Sequence, residues 1–161
     1  MKSVIIYYSD TGNTKKTAEI LKQHLSKKGG VDVIELKSPG EPKSFFGQAA
    51  GAFMHKRGPI SEVKFDLSEY SLLCFGTPVW AFGPAPAVNT YLDKCDGIPG
   101  KSVILFTTYG SGTGNQRCLD YMKGLLAKKG AASFSQFSVQ QGRVRDEQFV
   151  LSQINEITPH L

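Results

Sequence analysis

The chain has 161 residues, 40% of them hydrophobic and 20% charged, and a formal net charge of +5. That composition suits the core of one domain of ordinary size, and no apolar run is long enough to span a bilayer. Cys74, Cys95 and Cys118 are widely spaced without a Cys-x-x-Cys pair, and His24, His55 and His160 stand apart, so neither a disulfide frame nor a metal centre is expected.

Residues 3–8 (SVIIYY) read as a buried first strand, and a helix is predicted over about 13–28, stopped by Gly29-Gly30. Between them lies Ser9-Asp10-Thr11-Gly12-Asn13-Thr14, with a hydroxyl, carboxylate or amide side chain at every position but Gly12. One such residue suffices to cap a helix. Five around a glycine point instead to an anion site. Unpaired first-turn amides and the helix dipole favour a dianionic phosphate, and hydroxyls bond its oxygens without adding charge. Neither Gly-x-x-x-x-Gly-Lys-Ser/Thr nor Gly-x-Gly-x-x-Gly stands at this place, so the expected ligand is a phosphorylated small molecule bound by another kind of loop.

Residues 31–36 (VDVIEL) alternate and suit a second strand nearer an edge. Phe45, Phe46, Ala49, Ala50, Phe53 and Met54 recur at helical spacing and predict a helix near 42–55. Residues 71–77 (SLLCFGT) form a continuous apolar strand, followed by a loop from Pro78 and a helix starting near Pro84–Pro86. Next come a central strand over 102–108, a Gly-rich loop Tyr109–Asn115, a helix over about 115–129 stopping at Gly130, a fifth strand over 134–139 and a last helix over 146–157. Alternation of this kind predicts five parallel strands wrapped by five helices, one doubly wound α/β domain over 1–161. Ligands of such sheets sit at the carboxyl ends of the strands, where the chain order reverses. The loops after the first, third and fourth strands all fall there.

The second of those loops, Thr77-Pro78-Val79-Trp80-Ala81-Phe82-Gly83-Pro84, carries the chain's one tryptophan. Tyr109 heads the third, Tyr109-Gly110-Ser111-Gly112-Thr113-Gly114-Asn115. An aromatic face offers a planar ligand about 0.5–1.5 kcal/mol beyond its buried area. A Trp and a Tyr at adjacent strand ends could sandwich such a ring, and the glycines let backbone approach it.

A phosphate cradle with an aromatic clamp on a domain of this size resembles the flavodoxin-like family, across essentially the whole chain. The most specific parts of the likeness are Ser9-Asp10-Thr11-Gly12-Asn13-Thr14 and Gly76-Thr77-Pro78-Val79-Trp80. The resemblance implies strand order 2-1-3-4-5 and flavin mononucleotide (FMN) as cofactor. By position, Ser9, Thr11, Gly12, Asn13 and Thr14 would bind its phosphate, and Pro78, Val79, Trp80 and Tyr109 would contact its ring. Thr108, Gly110 and Gly112 would add backbone or hydroxyl contacts, and Phe82-Gly83 would supply the peptide near the flavin N5. The family's electron carriers are usually acidic; this chain is basic. Residues 78–92 carry no charge, and residues 97–119 hold only Lys101 and Arg117. A carboxylate about 7 Å from a reduced, anionic flavin would cost roughly 2 kcal/mol at an effective dielectric near 20, on the order of 100 mV for one electron. Its absence favours two-electron chemistry.

Two readings follow. One is a cytoplasmic flavin oxidoreductase, taking hydride from NAD(P)H and reducing a quinone-like or other small acceptor. The other is a one-electron carrier serving redox partner proteins. Either way the flavin does the chemistry, and no side chain stands out as a catalytic acid or base. The lysines fit solvated helix faces with no aromatic interleaving, so no nucleic-acid partner is expected. The protein would act as a monomer or homodimer. A signalling receiver of the same topology would need an acidic pair after the first strand and an Asp ending the third, where the chain has only Asp10 and Thr77-Pro78. A non-redox binding module stays open, with Trp80 and Tyr109 favouring a flat aromatic ligand.

Overall fold

β-branched and aromatic runs place the central strands, and their burial on both faces follows from helices on either side. The computed structural model describes residues 1–39, 56–110 and 112–158. In chain order the elements are β1 (Lys2–Tyr8), α1 (Asn13–Ser26), β2 (Gly30–Leu36), β3 (Leu72–Trp80), β4 (Gly83–Pro84), α2 (Pro86–Lys94), β5 (Ser102–Tyr109), α3 (Asn115–Lys128), β6 (Ser133–Gln140) and α4 (Glu147–Ile157). Five strands run parallel in the order β2-β1-β3-β5-β6, and the two-residue β4 folds back antiparallel on the end of β3. This is the flavodoxin-like α/β fold, with the switch in order between β1 and β3. The helix expected over 42–55 lies outside the described residues.

Alternate residues of each central strand feed the two halves of the core. Val4, Ile6, Leu73, Phe75, Val103 and Leu105 pack beneath α2 and α3 with Tyr91, Leu92, Met122 and Leu126. Ile5, Cys74, Ile104 and Phe106 face α1 and α4 with Leu21, Leu25, Val150 and Ile154. Each fully buried aliphatic or Phe side chain contributes roughly 1.5–3 kcal/mol. Gly76 serves this packing, since a Cβ there would come within 2.1 Å of the Phe106 ring. The three cysteines are free and buried, and burial pushes the Cys95 thiol up to about 11. No helix among the described residues is long and apolar enough to cross a membrane.

Two expectations change. The third strand does not give way to a loop at Pro78 but continues to Trp80 and turns back as a hairpin. The first helix stops at Ser26, with Lys27 right-handed and neither Gly29 nor Gly30 at positive φ. Gly29 instead clears the backbone of Met1, whose carbonyl a Cβ would meet at 2.0 Å. The other expected stop, Gly130, is left-handed at φ 89 just beyond α3.

Candidate functional site

At the carboxyl end of the sheet, three chain segments line a depression of about 150 Å³: Asp10, Thr11 and Asn13 after β1; Pro78, Val79 and Trp80 ending β3; and Thr108, Tyr109 and Gly110 ending β5. Gln141, just past β6, completes the lining.

The β1–α1 turn owes its shape to Gly12, which caps the helix in the left-handed region at φ 88 and brings no side-chain acceptor. First-turn amides have no partner within a helix. Ser9 Oγ accepts from the Lys15 amide at 3.2 Å, and the amides of Asn13 and Thr14 precede that bond. Asn13 Nδ2 donates to Thr11 Oγ1 at 3.2 Å, which orients both side chains. Thr14 is different. It is buried, and its hydroxyl pairs with that of buried Thr108 at 2.8 Å, tying the start of α1 to the end of β5. Lys15 turns toward Glu35 at 3.7 Å, and Lys37 bonds the same carboxylate at 2.6 Å. The Lys37 bond is the largest cause holding Glu35 below its usual range. On the neighbouring strand Tyr7 is pushed up to about 12, by burial first and then by Glu35.

Trp80 was expected on a loop, but it pairs with Gly83 across the β3–β4 hairpin, as Val79 pairs with Pro84. The two residues between are Ala81 at φ 48 and Phe82 at φ 67. Positive φ at both central positions is the tight turn that matches strand twist, normally built from Asn and Gly. Left-handed backbone costs a non-glycine residue about 1–2 kcal/mol. Gly83 is buried in β4, and Ala81 and Phe82 carry the unusual conformation. Buried Thr77 anchors the return, accepting from the Ala85 amide and donating to the Pro78 carbonyl, each at 2.9 Å. Trp80 also meets the Tyr8 ring edge-on, with centroids 5.6 Å apart and planes at 83°.

The depression thus gathers Thr11, Asn13, Pro78, Val79, Trp80, Thr108, Tyr109 and Gly110. Ser9, Gly12 and Thr14 belong to the same turn without lining the depression, and Phe82, Gly83 and exposed Gly112 also lie outside the lining. Sequence reasoning passed over two lining residues. Asp10, one member of the polar motif, brings a carboxylate to the depression. Gln141 follows the last strand at the same end of the sheet, and that position was its available signal. Asp93, another carboxylate, is held by Arg57 through bonds of 2.5 and 2.8 Å, which keep its carboxyl below the usual range.

The family model that matches this chain is described as flavodoxin and covers residues 2–144. Among solved structures, an NADH:FMN oxidoreductase in its apo form is 18% identical with a TM-score of 0.69, over 99% of this chain and 88% of that one. Flavodoxin 1 from Bacillus cereus is 19% identical with a TM-score of 0.61, over 100% and 99%. A flavoprotein from Lactobacillus acidophilus, solved with FMN, is 20% identical with a TM-score of 0.58, over 91% and 98%. At these identities the likeness establishes the fold.

Proposed function

The chain belongs to the flavodoxin family, and on that premise we propose that it is an FMN-binding redox protein acting on a small, quinone-like acceptor with NAD(P)H as hydride donor. The observation that carries the reading is the convergence of a polar helix-opening turn and two aromatic strand ends on one depression. The residues present fit the cofactor. Thr11, Asn13 and the first-turn amides of α1 offer donors to a phosphate and no positive side chain, because Lys15 faces Glu35. Trp80 and Tyr109 offer the two aromatic walls for the ring. When bound, FMN accepts electrons singly or in pairs. The protein's own part is to hold it, to shape its mouth and to set the surrounding charge.

That charge favours paired electrons. Of the described carboxylates, Asp10 lines the depression, from the β1–α1 turn. The uncharged β3–β4 hairpin supplies no repulsion to a reduced ring beside Trp80. The competing reading, a one-electron carrier, draws on the same site and on the likeness to a flavodoxin of Bacillus cereus. Stepwise anaerobic reduction of the FMN-loaded protein, followed by absorption and electron spin resonance, separates them. Direct passage from the oxidised to the fully reduced spectrum supports the two-electron reductase, while a large radical signal at half-reduction replaces it with the carrier.

A further inference from the structure

Phe82 is one of three large hydrophobic side chains exposed among the described residues, at 44%. It sits at φ 67, where a bulky residue is strained, yet its ring is not loose. The ring lies on the bare Cα of Gly114: a Cβ there would come within 2.4 Å of the ring and 3.3 Å of the Phe82 backbone. Gly114 is itself left-handed at φ 119 as the cap of α3, and Arg117, on the first turn of that helix, has its guanidinium 6.0 Å from the ring centroid. Two unusual backbone positions on separate loops therefore build one contact. That contact joins the turn that follows Trp80 to the segment that leaves β5 at Tyr109.

We propose that Phe82 is a positioning residue, a strap that holds the β3–β4 hairpin against the Gly114 turn and so sets the separation of Trp80 and Tyr109. The ring stands outside the depression, so its effect on a ligand passes through those two aromatic walls. The strap is a property of the protein without ligand; the ligand it serves rests on the FMN reading above. Gly at position 82 would relieve the left-handed strain while deleting the strap, so stability and ligand affinity should part company.

The test compares wild type, Phe82→Gly and Phe82→Tyr. In the protein without FMN, acrylamide quenching of Trp80, the sole tryptophan, should rise in Phe82→Gly and return to the wild-type value in Phe82→Tyr. Dissociation constants for FMN and for riboflavin should both weaken about tenfold in Phe82→Gly, the size expected for re-ordering a freed side chain and loop. Its melting temperature should not fall. Unchanged quenching and affinity overturn the strap, and so does a variant that unfolds or melts in step with its loss of affinity. Wild-type protein that fails to bind FMN overturns the cofactor reading alone, because the quenching comparison still decides the strap.

Discussion

The β1–α1 turn and the β3–β4 hairpin face each other across one depression and reach their shapes by opposite routes. The turn is local. Its glycine takes the left-handed position, the hydroxyls of Ser9 and Thr11 bond within six residues, and the helix it opens supplies the free amides. The hairpin is imposed from outside. Ala81 and Phe82 hold positive φ that neither residue prefers, because Thr77, Tyr8 and Gly114 hold the chain around them. The turn should therefore bind its ligand group autonomously, and the hairpin should be as sound as its supports.

The largest expected effect lies on the hairpin. Trp80→Ala removes one aromatic wall and the Tyr8 contact together. Losing a buried aromatic contact of this kind costs about 2 kcal/mol, or roughly thirtyfold in FMN affinity. Riboflavin, which lacks the phosphate, should lose as much. Titration of both ligands checks it, and a loss confined to FMN would place Trp80 with the phosphate side of the comparison.

The same contrast explains what could be read in advance. Strand and helix alternation carries the fold because burial on both faces of β1, β3 and β5 leaves unbroken apolar runs, and the polar turn declares itself by composition. The hairpin leaves no such mark. Two positive-φ residues are expected as Asn-Gly, and Ala81-Phe82 reads as ordinary loop until Gly114 is seen beneath the ring. Gly29 misled in the other direction: a glycine after a helix suggests a left-handed stop, but here it makes room for Met1. Gln141 carries no mark either, since neither an aromatic neighbour nor a run of hydroxyls singles out an amide just past an edge strand.

A smaller effect tests whether the turn is as self-contained as it looks. Thr14 sits in the polar motif, yet its hydroxyl is engaged with Thr108 at 2.8 Å. Thr14→Val should leave the buried Thr108 hydroxyl unpaired and cost about 1 kcal/mol of stability, while Thr14→Val with Thr108→Val should recover most of that loss. Urea unfolding of the two variants measures it. Affinity should then separate the motif's members. Exposed Thr11→Ala should weaken FMN but spare riboflavin, and Thr14→Val should change the two ligands alike.

The smallest effect is a control that should leave both regions untouched. His24 lies near the far end of α1, where its Nε2 meets Thr158 Oγ1 at 3.1 Å. Burial, and then Lys28 and Lys27, hold its imidazole below the ordinary value of 6.5. The unfolded chain thus binds the proton more readily than the folded one, so stability rises with pH across this window. The contribution is complete above about 6.5 and is lost as pH falls through that value and the lower folded one. Urea midpoints for wild type should accordingly decline between pH 7 and pH 5 more steeply than those of His24→Asn. FMN affinity should differ little between the two proteins at any pH in that range. A pH-dependent difference in affinity would mean that the end of α1 reports to the turn at its start, and the turn would no longer count as local.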